Sequence, residues 1–228
     1  ITAFSGGSLA NVEVVTADLG AGVDTLTYTT SANVTVNLAA GSASGFGAIA
    51  GVENVTTGSG DDTLPGDAAA NRLTGGAGND TYYADSADTI VEAASGGVDS
   101  VFTTSASFTL AANVENLTFT GVGAFNAVGN GSDNVISGGN GGVTLDGAGG
   151  ADTLIGGSGA DNLSGGSGAD TLIGGAGNDI MNGGTGNDTF VFTAGGGSDS
   201  INGFDANPSG GQDLLDISAY GVTAATFA

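Results

Sequence analysis

Residues 147–191 read GAGGADTLI, GGSGADNLS, GGSGADTLI, GGAGNDIMN and GGTGNDTFV, successive nine-residue units with Asp in the sixth place and an apolar residue in the eighth. The sixth places are Asp152, Asp161, Asp170, Asp179 and Asp188; the eighth are Leu154, Leu163, Leu172, Met181 and Phe190. Glycine adopts φ above zero without a Cβ clash, so the first six residues of a unit can turn sharply and aim carbonyl oxygens into one concavity. The last three then run extended, and because side chains alternate across a strand only the middle one points inward. Two units complete a coil, which sets unit n beside unit n+2 at the strand-pairing distance of about 4.8 Å. A fixed period of this kind decides the architecture before any local propensity does.

The same register reaches back without insertion to Gly129 through GNGSDNVIS and GGNGGVTLD, where the sixth places are Asn134 and Val143. A shorter run occupies Thr57 to Tyr83 as TGSGDDTLP, GDAAANRLT and GGAGNDTYY, with Asp62, Asn71 and Asp80 sixth and Leu64, Leu73 and Tyr82 eighth. Asn33 to Leu38 (NVTVNL) alternates polar and apolar residues, as a strand with one buried face does. ANVEVVT (10–16), GVENVTT (51–57) and ANVENLT (112–118) each hold a Glu, at Glu13, Glu53 and Glu115, between β-formers. They read as strands leading into the roll, their Glu structural. No segment has the apolar spacing of an amphipathic helix. The expected fold class is all-β, a parallel β-roll or β-helix solenoid with connecting strands. Its expected divisions are a strand-rich segment 1–56, a short roll 57–83, a connecting segment 84–128, a long roll 129–204 and a cap 205–228.

Composition agrees with a thin solenoid core. With 46 Gly, 24 acidic residues and a formal charge of -23 the chain could pass for a disordered, solvated one. Its 39% hydrophobic content argues otherwise, and the lack of Trp points to an aliphatic core buried layer by layer. One basic residue, Arg72, leaves nothing to attract phosphate backbones or anionic lipid, so nucleic-acid and membrane-surface binding are excluded. No apolar run approaches bilayer-spanning length. Cations are the natural partners. Aspartates stacked two units apart repel unless a cation sits between them. Calcium suits the gap, taking about 6 to 8 hard oxygen ligands of mixed carboxylate and carbonyl type. Magnesium is more demanding in geometry, and zinc prefers His and Cys, which the chain lacks. Ile1 opens the chain with neither an initiator Met nor a signal-peptide pattern, so it is expected to be part of something longer.

The nonapeptide Gly-Gly-x-Gly-x-Asp-x-U-x, U apolar, resembles the RTX (repeats-in-toxin, hemolysin-type calcium-binding) family exported by Gram-negative type I secretion systems. The resemblance is close over 57–83 and 129–204 and looser elsewhere. It implies a right-handed parallel β-roll with each ion held between loops two units apart by the sixth-place Asp and by loop carbonyls. Carried onto this chain, it pairs Asp62 with Asp80, Asp152 with Asp170, Asp161 with Asp179 and Asp170 with Asp188, for at least four calcium ions. Asn134 opposite Asp152 implies a weaker site, and Val143 opposite Asp161 removes a carboxylate. Beyond Val191, GGGSDSINGFDANPSGGQDLLDIS resembles the family's capping region, with Asp199, Asp205 and Asp213 as candidate ligands. TYYADSADTIVEAASGGVD (81–99) resembles a family insertion in which Glu92 and Asp99 contribute oxygens, against a solvated surface role for both. Asp18, Asp24, Asp61, Asp67, Asp85 and Asp88 read as surface charge.

Such a chain is expected to fold when it meets extracellular calcium, because ion binding to a site that exists only when folded becomes folding energy. The leading expectation is a calcium-dependent module of a secreted or cell-surface structural or adhesive protein, of S-layer, biofilm-matrix, filament or adhesin type, with its own copies, a polysaccharide or a cell surface as partner. The alternative is the secretion and stability tail of a secreted protease, lipase or polysaccharide-modifying enzyme. A minor alternative is ice binding through a ladder of Thr153, Thr171 and Thr189, whose Thr is explained as well by β propensity. The chain itself is read as non-enzymatic. It has no His or Lys, no Gly-x-Ser-x-Gly elbow and no Gly-x-Gly-x-x-Gly fingerprint, and its carboxylates are better explained as metal ligands than as a glycosidase pair.

Overall fold

The structure is a computed structural model that describes residues 16–206 and 212–220; apart from Thr16, the element ANVEVVT with Glu13 lies outside them. The described chain forms two compact units. One runs to Phe102 and includes Ala111–Val114; the other takes Thr103–Leu110 and the chain from Glu115 onward.

In the first unit, Thr25–Thr27, Asn54–Thr56, Arg72–Thr74 and Thr89–Val91 pair in that order as a parallel sheet. Thr63–Pro65 and Thr81–Tyr83 form another, in which residues 100–102 register with 81–83. The inward columns are Leu26, Val55, Leu73 and Ile90 on one sheet and Leu64, Tyr82 and Val101 on the other. Leu64, Leu73 and Tyr82 are fully buried. The strands flanking the short run are therefore coils of the same solenoid. LGAGVDTLT (19–27) repeats the unit with only its first Gly replaced, and GVENVT places Glu53 sixth and Val55 eighth. In NVTVNL, Val34, Val36 and Leu38 are buried as the alternation requires, yet only Val36–Asn37 forms a strand, turning back antiparallel onto Ser42–Ala43.

The second unit carries two parallel sheets. Val135–Gly139, Thr153–Ser158, Thr171–Ala176, Thr189–Val191 and Leu214–Asp216 follow Asn116–Phe119 in one; Phe125–Val128, Val143–Asp146, Asn162–Ser167, Ile180–Thr185 and Ser200–Asn202 follow Ser107–Thr109 in the other. Each pair in the regular run is offset by two units, as in Leu154 opposite Leu172 and Leu163 opposite Met181. Leu117, Ile136, Leu154, Leu172 and Phe190 stack as one fully buried column; Leu145, Leu163 and Met181 stand in the facing one. In the regular run from Thr153 onward, one inward side chain per strand, each contributing about 1.5–3 kcal/mol, makes a core only two columns wide. Outward, Thr153, Thr171 and Thr189 stand in one row and Ile155, Ile173 and Val191 in the next. The fold is the all-β parallel solenoid expected. Among the described residues the only helical element is a 3-10 turn at Ser218–Tyr220, and no helix is long and apolar enough to cross a membrane.

Candidate metal centre

The glycine pattern dictates the loops. Gly157 sits at φ 112°, and a Cβ on it would strike the carbonyl of Gly139 in the coil beneath, so both the turn and the stacking demand glycine. Gly156, first in its unit, has a different reason. A Cβ there would strike Oδ2 of Asp161, so the missing side chain makes the space that the carboxylate fills.

Each sixth-place Asp then reaches across to the loop eighteen residues earlier. Oδ1 of Asp80 accepts the backbone N–H of Asp62 at 2.7 Å, Asp170 that of Asp152 at 2.8 Å, Asp179 that of Asp161 at 2.9 Å and Asp188 that of Asp170 at 3.0 Å. These are the four pairs expected from the resemblance. Asp152 and Asp161 serve Asn134 and Val143 in the same way, so the first coil of the long roll keeps its hydrogen bonds where it lacks carboxylates. Asp99 accepts from Asp80, Asp199 from Asp179 and Asp213 from Asp188, extending the ladders at spacings of 19, 20 and 25 residues. The backbone N–H of Asp205 donates to Oδ2 of Asp213.

The other oxygens decide the chemistry. Oδ2 of Asp62, Asp80, Asp152, Asp161, Asp170, Asp179 and Asp188 is buried with no hydrogen-bond partner. A buried, unpaired carboxylate oxygen is costly, and like charges stack along the ladder. Burial pushes the Asp152 carboxyl up to about 6 and the Asp80 carboxyl up to about 7; backbone N–H groups pull the other way, and neighbouring aspartates add to the rise. Asp161, Asp170, Asp179 and Asp188 are raised for the same leading reason. Rows of orphaned oxygens in glycine-walled loops fit a hard cation.

A denser group lies in the first unit. Ligand oxygens of Asp80, Glu92 and Asp99 lie within 4.8 Å of one another. Glu92 is 9% exposed, which removes the solvated reading for both it and the fully buried Asp99. Burial pushes Glu92 up to about 7, opposed by a hydrogen bond from Tyr82 and reinforced by the charges of Asp99 and Asp80.

Some loops close by another route. Oδ1 of Asn71 accepts the N–H of Asp67 and Oδ1 of Asn134 that of Asn130, both at 2.8 Å. The residue two places on donates to Asp67 and to Asn130, in the manner of an Asx turn. Asp88 accepts from Asn71 with Oδ1 and from Asp85 with Oδ2, and Asp213 likewise uses both oxygens. Where the second place is Asp or Asn in place of Gly, its N–H takes the oxygen that a regular unit leaves orphaned. Two acidic residues read as surface charge instead take the sixth place of irregular coils. Asp88 closes a loop, and Asp24 takes the sixth place of LGAGVDTLT with its Oδ2 buried and unpartnered and its N–H donated to Glu53. The spacing of Gly20, Gly22 and Leu26 around Asp24 carries that signal in the sequence.

Residues 50–91, 128–163 and 155–190 match the family described as RTX calcium-binding nonapeptide repeat (4 copies). The endo-1,3-1,4-beta-glycanase ExsH of Rhizobium meliloti (strain 1021) is 40% identical over 89 residues, 38% of this chain and 19% of that protein. The chain thus spans a minor part of that curated relative's length.

Proposed function

This chain is an RTX calcium-binding repeat protein over residues 50–91 and 128–190, and from that premise we propose that it is a calcium-dependent folding module of a secreted or cell-surface structural or adhesive protein. The observation that carries the reading is the row of buried, partnerless Oδ2 atoms in loops whose Oδ1 atoms already hold the neighbouring coil. Asp62 with Asp80, Asp152 with Asp170, Asp161 with Asp179 and Asp170 with Asp188 would hold at least four calcium ions, with Asp80, Glu92 and Asp99 meeting at the first unit's densest site and Asp199, Asp205 and Asp213 serving the cap. Bound calcium would supply neutralising charge and hard-oxygen coordination there.

The chain's own residues do the rest. Each Asp ties one loop to the next through Oδ1, and a core two side chains wide cannot offset the repulsion of a chain carrying -23. Folding therefore waits for the ion, which suits export as an unfolded chain into millimolar calcium and an extracellular home. The module acts without catalysis, its carboxylates being committed to loop closure. Self-association through unpaired strand edges belongs to the same proposal.

Far-ultraviolet circular dichroism with calcium and then with excess chelator tests the reading. A β spectrum that collapses on chelation and returns with calcium is expected; one that chelator leaves unchanged sinks it. The similarity to a glycanase favours a second reading, that the module stabilises and exports a polysaccharide-active hydrolase. The sequence flanking the chain in its parent protein separates the two.

A further inference from the structure

Ten inward-facing eighth places belong to the two repeat runs, and Tyr82 alone among them carries a hydroxyl; the others are Leu, Ile, Met or Phe. An aliphatic residue would fill that column as well, as Leu64 does beside it. The tyrosine is fully buried, and its phenol does not stay in the core. It donates a hydrogen bond to Oε1 of Glu92. A Cβ placed on Gly75 would touch both the Tyr82 phenol oxygen and Oδ2 of Asp80, so these two oxygens converge on the pocket that Gly75 leaves open. That Oδ2 is buried without a partner on a residue only 1% exposed, and it points into the group where Asp80, Glu92 and Asp99 approach within 4.8 Å.

We propose that Tyr82 is a positioning residue of this cation site, and that by holding Glu92 against Asp80 and Asp99 it makes the site the tightest and first filled on the chain. The inference rests on the calcium reading above. Each regular rung brings two sixth-place aspartates together, whereas here a third carboxylate arrives from Glu92, on a segment whose other anchors do not depend on an ion. The backbone carbonyl of Glu92 accepts Nδ2 of Asn113 at 3.1 Å, and its Oε2 faces Gly96, whose carbonyl in turn accepts the N–H of Gly78. Affinity for calcium rises with the number of charged ligands and the rigidity of their placement, over several decades between site classes. A glutamate on a flexible side chain gains most from a partner that fixes it, and a phenol from the rigid inward column of a strand is such a partner.

The phenol also gives the site its own optical signal, because terbium, a calcium substitute, luminesces when a tyrosine beside it is excited. The full 228-residue chain, stripped of calcium, is titrated with terbium under tyrosine excitation and separately with calcium by calorimetry. The wild type is expected to show a first luminescent phase saturating at about one terbium per chain, below the concentrations at which the weaker sites fill. Glu92→Gln keeps the tyrosine donor and is expected to move that phase to at least tenfold higher terbium. Tyr82→Phe, which preserves the buried ring, is expected to remove the tightest calorimetric calcium event while the weaker class remains. Asp170→Asn, in the long roll, is expected to leave the first phase in place. A Tyr82→Phe chain that keeps its tightest calcium event overturns the proposal, as does a first phase that Asp170→Asn shifts and Glu92→Gln does not. A chain that binds calcium nowhere would overturn the functional reading itself, a result distinct from either.

Discussion

The backbone N–H of Asp170 donates to Oδ1 of Asp188 at 3.0 Å, while Oδ2 of both residues is buried with no hydrogen-bond partner. Asp170 therefore does two jobs with two oxygens. Oδ1 holds the N–H of Asp152 at 2.8 Å whatever the ionic conditions, and Oδ2 faces a space that only a cation or a proton makes comfortable.

Asp170→Asn separates the two jobs, because the amide oxygen can keep the hydrogen bond while its nitrogen replaces the orphaned oxygen. The variant is expected to bind one or two fewer calcium ions and to need roughly tenfold more calcium at its folding midpoint. Asn134→Ala is the contrasting case. It takes the acceptor from the N–H of Asn130, at a cost of about 1–3 kcal/mol that added calcium does not restore. Chemical denaturation at two saturating calcium concentrations distinguishes them, and a calcium-insensitive loss for Asp170→Asn would rule out its role as a ligand.

Glycine positions divide by what a methyl group would meet. In Gly165→Ala the new Cβ would strike Oδ2 of Asp170 and lie 2.5 Å from the carbonyl of Gly183, both held by the stacked loops. A loss of about 1–3 kcal/mol is expected, together with weaker calcium binding. Gly131→Ala meets nothing within 4 Å and is expected to be neutral or to stabilise by about 0.4–1 kcal/mol. Equal effects at the two glycines, measured by thermal melts in saturating calcium, would remove the argument that the first-place glycine makes room for a carboxylate.

The regular coils were legible because two physical demands repeat in phase. Glycine and Asp recur with the turn, and an apolar residue recurs with the strand, so Leu154, Leu172 and Phe190 could be stacked on paper before any coordinates. The irregular coils were not, since only part of the signal survives in them. LGAGVDTLT keeps two glycines, Asp24 and Leu26 but stands alone, and in GVENVT and ANVENLT a Glu in the sixth place reads as part of an ordinary strand. Asp88 was missed for a different reason. Its unit is one residue short, so its carboxylate falls out of the nine-residue count although it closes on Asn71 at 2.9 Å. The approach of Glu92 to Asp80 and Asp99 depends on a phenol projecting from the core, which no spacing rule announces.

Acid should substitute in part for calcium. The Asp152 carboxyl is pushed up to about 6 and those of Asp80 and Glu92 to about 7, chiefly by burial, from ordinary values of 3.8 for Asp and 4.5 for Glu. A carboxyl whose folded pKa lies above its unfolded one favours folding while protonated. That contribution is complete below the unfolded values and is lost as pH rises through about 6 to 7. In chelator the chain is therefore expected to gain β-structure between pH 8 and pH 4, and at pH 5.5 less calcium should be needed to reach the folding midpoint than at pH 7.5. Circular dichroism against pH in chelator checks the first statement. Structure that is constant, or falls, on acidification would contradict it.

A second ladder runs beside the acidic one and owes nothing to metal. Where the fifth place is Asp or Asn, its side-chain oxygen accepts the N–H of the fifth place two units later, as Asp61 does for Asn79 at 2.8 Å and Asp133 for Ala151 at 2.7 Å. Ala151, Ala160 and Ala169 interrupt that ladder in the middle of the long roll, where no side-chain oxygen reaches toward Ala169, Asn178 and Asn187. Ala160 is exposed, so Asn fits there without disturbing the core. Ala160→Asn is expected to add an acceptor for the N–H of Asn178 and to stabilise the roll by about 0.5–1.5 kcal/mol, with calcium stoichiometry unchanged. Denaturant titration in saturating calcium measures the first quantity and equilibrium dialysis the second. A variant no more stable than the wild type would show that the rung adds nothing once the aspartate ladder and its ions are in place.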